Sequence, residues 1–95
     1  MNLSSLLELV KRGESEKIEL KRTTGQRSEG AKAVCAMLNG LGGFVLFGVN
    51  DDGHINGQQV TSKTLEDIAA ELVRIEPPAF PDIETVNLEN GNSVL

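Results

Sequence analysis

Apolar residues recur at Leu3, Leu6, Leu7 and Val10, the i, i+3, i+4, i+7 spacing of one helical face. Asn2 is placed to cap this helix and Gly13 to end it. Lys11 and Arg12 fall in the last turn, where the helix dipole favours cations. The period then changes. Ile18 and Leu20 alternate with Lys17, Glu19 and Lys21, which predicts a short half-buried strand. Thr23 to Ser28 is polar and holds Gly25, so it reads as a loop. A second helix follows to about Asn39, with Ala31, Val34, Cys35 and Leu38 as its inward stripe, and Gly40, Gly42 and Gly43 end it.

The stretch from Gly43 to Val49 is the most apolar, and its β-branched and aromatic residues predict a central buried strand. Asp52-Gly53 signals a type I′ turn, and His54-Ile55 starts a return strand. Thr61 or Ser62 can cap a third helix with Leu65, Ile68, Ala69 and Leu72 on one face, stopped by Pro77-Pro78. Ile83 to Leu88 predicts a further strand, and Asn90-Gly91 a hairpin whose second strand has only Asn92 to Leu95. So short a partner strand predicts that these residues are the N-terminal part of a longer protein. The order α-β-α-β-β-α-β-(β) is that of an α/β fold, a two-layer α/β domain with a mixed sheet, and residues 1–95 form one domain.

Composition narrows the function classes. The chain has no Trp or Tyr and three Phe, which removes the aromatic platforms on which single strands stack. One Cys excludes an intramolecular disulfide and a Cys-rich zinc site, and a lone His by itself makes neither a triad nor a zinc site. Cys35 reads as a small core residue and His54 as a surface residue beside a turn. Nothing resembles a signal peptide or a membrane span, so the expected location is cytoplasmic, with no membrane partner. The net charge of −5 argues against a protein that coats nucleic acid, but it conceals a division. Residues 11–32 carry seven cations against four acids, a net +3, whereas residues 51–89 carry a net −7. Such asymmetry suits a polyanion-facing surface or a paired electrostatic interface.

Two clusters could carry chemistry. The glycines of Gly40-Leu41-Gly42-Gly43 follow a helix and precede a strand, the reverse of a dinucleotide fingerprint. No Lys-Ser/Thr pair follows them as a phosphate loop requires, so they read as a helix end and a tight lead-in to the strand. Glu14, Glu19 and Asp51 would converge if the two strands are neighbours. Three carboxylates suit Mg²⁺ or Mn²⁺, with Lys21 steadying added negative charge. Solvent-facing strand residues and plain turn chemistry explain the same positions.

Four separated motifs go further. They are Glu14-Ser15-Glu16-Lys17-Ile18-Glu19-Leu20-Lys21, Leu38 to Gly43, Leu46 to Gly53, and Ile55-Asn56-Gly57. In order and distance they resemble the Schlafen/AlbA-type domain, whose pattern reads E-S-x-x-x-E-F-K, A-N-T-x-G-G, L-x-x-G-V-D-D-x-G and I-x-G. Leu20 stands for its Phe, Gly40 for its Thr and Asn50 for its first Asp. The resemblance implies a DNA-binding domain at the N-terminus of a bacterial or archaeal transcriptional regulator, with no cofactor. Nucleic acid is the implied partner, DNA ahead of RNA. Lys17, Lys21, Arg22, Arg27 and Lys32 are then the residues expected on phosphates. Animal members imply an alternative, a metal-dependent endoribonuclease with Mg or Mn. Glu14, Glu19 and Asp51 would then be metal ligands and, with Lys21, the catalytic set. Asn50, in place of the first Asp, weighs against it. A protein-interaction or dimerisation module, with a homodimer as product, is the third reading.

Overall fold

The computed structural model describes residues 1–40, 42–74 and 81–95. The elements are α1 (Leu3–Arg12), β1 (Ile18–Lys21), a 3₁₀ turn (Thr24–Gln26), α2 (Arg27–Leu38), β2 (Phe44–Phe47), α3 (Ser62–Arg74), β3 (Val86–Asn87) and β4 (Ser93–Val94). The α/β class and the mixed pairing are as the pattern predicts.

The first helix begins and ends where its signals stand. The Asn2 side chain accepts from Ser5 N–H, and Gly13 N–H closes the last turn on Val10. Its buried face is Leu6, Leu9 and Val10, with Leu3 partly covered, while Leu7 is 47% exposed. The stripe is rotated by part of a turn from the expected one, with Leu9 rather than Leu7 packed in the apolar cluster of β1 and β2. On α2 the buried residues are Gly30, Ala31 and Met37, and the expected Leu38 is 58% exposed. On α3 they are Ile68 and Leu72, while the expected Leu65 and Ala69 are exposed. The expected Pro77-Pro78 stop lies outside the described residues.

β1 and β2 run parallel, in the register Ile18↔Phe44 to Lys21↔Phe47. β3 and β4 form the Asn90-Gly91 hairpin, with Val86 opposite Val94. The two ladders join where Phe47 and Leu95 exchange both backbone hydrogen bonds (2.9 and 3.0 Å), the signature of an antiparallel pair. β4 therefore lies between β2 and β3. Leu20 and Leu46 face α1 in one apolar cluster with Val49, Val86 and Val94. Phe47 faces α2 and α3 in a second cluster with Ala31, Ile68 and Leu72. Helices thus cover both sides of the sheet. Full burial of Leu6 and Leu20 contributes about 1.5–3 kcal/mol each.

Two expected turns and strands differ in detail. Among the described residues no non-glycine has positive φ, so Asp52 does not take the left-handed conformation that a type I′ turn requires. Instead Gly53 N–H donates to the Asn50 carbonyl, with Gly53 alone at φ 90°. The return strand is a single bridge, Val49↔Ile55. It goes no further because Asn56 and Gly57 N–H both turn back onto the Gly48 carbonyl (3.1 and 2.8 Å). The strand expected over Ile83 to Leu88 is confined to Val86–Asn87.

Candidate functional site

β1 organises the polar residues singled out by the sequence. Phe44 N–H donates to the Lys17 carbonyl and Gly48 N–H to the Lys21 carbonyl, so residues 17 and 21 turn their backbone toward β2. Residues 18, 20 and 22 turn theirs outward, and each outward N–H has an acceptor. Ile18 N–H donates to the Ser15 carbonyl (3.3 Å), Leu20 N–H to Glu14 Oε1 (3.1 Å) and Arg22 N–H to Gln26 Oε1 (2.9 Å). An unpaired sheet edge invites pairing with other chains, and here the chain blocks its own edge. Glu14 thus has a structural task in this fold.

Alternation places Glu19 and Lys21 on the face opposite Ile18 and Leu20, as the sequence predicts. That face is the one shared with Val45 and Phe47, so both side chains are half-covered, Lys21 16% and Glu19 29% exposed. Lys21 Nζ lies 3.1 Å from Glu19 Oε1. Two residues apart on one strand face is the spacing at which a Glu and a Lys can meet.

The chain leaves β1 through a polar corner. Thr23 caps the 3₁₀ turn by accepting from Gly25 N–H. Thr24 and Gln58 bind reciprocally, Thr24 N–H to Gln58 Oε1 (2.8 Å) and Gln58 Nε2 to Thr24 Oγ1 (3.0 Å). This clasp fastens the 48–58 loop beside the C-terminal ends of the parallel strands, the end at which open α/β sheets bind ligands. Thirty-four positions separate the two residues, so no local sequence signal could have paired them. Arg27, half-covered at the start of α2, donates from Nη1 to the Thr24 carbonyl. Lys17, Arg22 and Lys32 are exposed. The five cations are thus spread over β1, the corner and the first turns of α2.

The carboxylates are less gathered. Asp51 is exposed on the Asn50–Gly53 turn, and Asp52 Oδ1 accepts from His54 N–H within it (2.9 Å). Asn50 Oδ1 is buried with no hydrogen-bond partner among the described residues. Among those residues no three of His, Cys, Asp and Glu are grouped to hold a metal ion. Glu14 Oε1 is engaged on Leu20 N–H and Glu19 Oε1 on Lys21, so each of these two carboxylates has a partner within the chain.

The glycines of the second and third motifs have steric reasons. A Cβ on Gly43 would strike the Lys17 carbonyl, the acceptor that starts the β1–β2 ladder. A Cβ on Gly48 would lie 3.0 Å from Gly57 Cα, where the 48–57 loop closes on itself. Among the described residues no helix is long and apolar enough to cross a membrane.

No curated protein and no solved structure matches this chain. The family pattern described as Schlafen, AlbA_2 matches residues 14–95, from the Glu14 that caps the sheet edge through the hairpin at its far side. That stretch holds all four motifs and both ladders, and by it the chain belongs to the Schlafen/AlbA_2 family.

Proposed function

We propose that the chain is a DNA-binding domain of a transcriptional regulator. Membership of the family supports a nucleic-acid-related function. The reading is supported further by the concentration of Lys17, Lys21, Arg22, Arg27 and Lys32 in the stretch from the start of β1 to the first turns of α2, with Lys17, Arg22 and Lys32 exposed. Contacts from such side chains go to phosphates, which position a duplex without reading its sequence.

The test is a salt series with duplex DNA and a matched single-stranded RNA. Binding to the duplex is expected to weaken linearly in log–log form, with a slope of about −0.9 for each phosphate neutralised. Absent or salt-independent binding would overturn the reading. So would cleavage of structured RNA with Mn²⁺ that is lost in Glu19→Gln, which would establish the metal-dependent ribonuclease instead.

A further inference from the structure

Three Asn-Gly steps occur in the chain, at Asn39-Gly40, Asn56-Gly57 and Asn90-Gly91. Asparagine is thermolabile, most of all before glycine, whose nitrogen no Cβ crowds. In each step the glycine nitrogen reaches the asparagine Cγ only when its N–H is released and the side chain can turn toward it. The fold treats the three steps differently.

Asn56-Gly57 is held through the backbone. Gly57 N–H donates to the Gly48 carbonyl at 2.8 Å, and the Asn56 carbonyl accepts from Nδ2 of both Asn90 and Asn92 (3.3 and 3.4 Å). Asn90 is held through its side chain. Its Oδ1 accepts from Asn92 N–H (2.9 Å) while its Nδ2 reaches Asn56, so turning Cγ toward Gly91 breaks two bonds. Asn39 has neither restraint. It caps the C-terminus of α2, and both it and Gly40 are exposed. Among the described residues its side chain has no hydrogen-bond partner. Gly40 N–H donates to the Met37 carbonyl (3.0 Å), but that carbonyl also accepts from Gly42 N–H (2.9 Å). Releasing Gly40 therefore orphans no carbonyl, and its N–H, at an exposed helix end, turns to water.

We propose that Asn39-Gly40 is a site of spontaneous covalent modification, deamidation through a cyclic imide. The Gly40 nitrogen gives its proton to water and bonds to Asn39 Cγ. The C–N bond of the side-chain amide breaks, and ammonia leaves, taking a proton from water. A water molecule then opens the imide. Attack at Cγ yields an aspartate, and attack at the main-chain carbonyl of residue 39 yields an isoaspartate, with the backbone routed through Cγ. In sum water is consumed and ammonia released, with no change of oxidation state. Either product sets a carboxylate at the negative end of the α2 dipole. The isoaspartate also lengthens the lead-in to β2, where Gly43 is already tight against the Lys17 carbonyl. The site precedes β2, at the end of the strand away from the polar corner, and does not depend on the DNA-binding reading.

The test ages the full chain in heavy-oxygen water at mildly alkaline pH and follows the three steps by peptide mass spectrometry. In native buffer the label should enter at Asn39 at least about tenfold faster than at Asn56 or Asn90, because an exposed helix end opens more often than a paired loop or hairpin. In urea that unfolds the chain the three rates should converge. Gly40→Ala is the matching variant. Gly40 has no positive φ, and a Cβ there would meet only the Met37 and Ala36 carbonyls, at 3.7 and 3.9 Å. It should keep the fold and slow the reaction at Asn39 several-fold, since the added methyl group crowds the attacking nitrogen. Conversion at Asn56 or Asn90 as fast as at Asn39 in the native chain would overturn the proposal. So would an order that persists in urea, which would assign it to local sequence, or an unchanged rate in Gly40→Ala, which would exclude attack by that nitrogen.

Discussion

Gly43 and Glu14 are each explained by one backbone group. Gly43 presses on the Lys17 carbonyl, which already accepts from Phe44 N–H at 2.7 Å. That carbonyl cannot yield without unzipping the ladder, so Gly43→Ala should destabilise the fold by about 1–3 kcal/mol, the usual cost of overpacking. A urea melt with an unchanged m-value checks it. Gly42, next in sequence, has open space around its Cα but a φ of 84°, so its Ala variant is opposed by backbone conformation alone. Glu14 holds the outward N–H of Leu20. Glu14→Ala should cost about 1 kcal/mol, typical of one hydrogen bond. It should also speed exchange at the Leu20 amide specifically. Glu14→Gln keeps an acceptor oxygen and should preserve most of the protection. Equal loss in both variants would show that the charge, rather than the edge bond, is what Glu14 provides.

Among the elements, starts and stops were more legible than faces. Asn2, Gly13 and the Asn90-Gly91 turn act through the backbone groups beside them, so their spacing carries their meaning. Which side of a helix is buried depends on what lies across from it. Leu7 and Leu38 fit a helical stripe as well as Leu9 and Met37 do, yet only the latter pair is buried. Leu7→Ser is therefore expected to be nearly neutral, within about 0.5 kcal/mol, while Leu6→Ala should cost about 2–5 kcal/mol. Thermal melts of the two separate these faces. The third helix adds a pH dependence. Its exposed Lys63–Asp67 pair (2.9 Å) holds the Asp67 carboxyl below its ordinary pKa, chiefly through the Lys63 hydrogen bond. A carboxylate with a lowered folded pKa contributes stability above its unfolded pKa and loses it as pH falls through the folded value. The small deficit of Asp67→Asn in Tm should thus be present at neutral pH and close in acid. The same hydrogen bond raises the Lys63 pKa, so its contribution is present below the unfolded pKa and fades in strong alkali.

At the scale of the whole molecule, the α/β class and the chain of motifs could be read from the sequence, but the candidate site could be read only in part. Glu19 and Lys21 share a face because strands alternate, and alternation is visible in a sequence. The Thr24–Gln58 clasp and the edge bond of Glu14 depend on which strands become neighbours, and that is not. Charge is the property that links sequence to whole molecule most directly. The +3 stretch from 11 to 32 folds into β1 and α2, while Lys63 and Arg74, the cations of the acidic half, both sit on α3. Each of the two is already paired with an acid, Asp67 and Glu71. Binding to a duplex should therefore be one-sided, and the salt slope can count the side. Lys17→Gln and Arg22→Gln should each make the slope shallower by about 0.9, because each removes one neutralised phosphate. Lys21→Gln should have less effect, since Glu19 already holds that ammonium at 3.1 Å. Lys63→Gln should leave the slope unchanged. Equal slopes for Lys17→Gln and Lys63→Gln would mean that the duplex does not lie along β1 and α2, and that the +3 stretch is a solvated surface like any other.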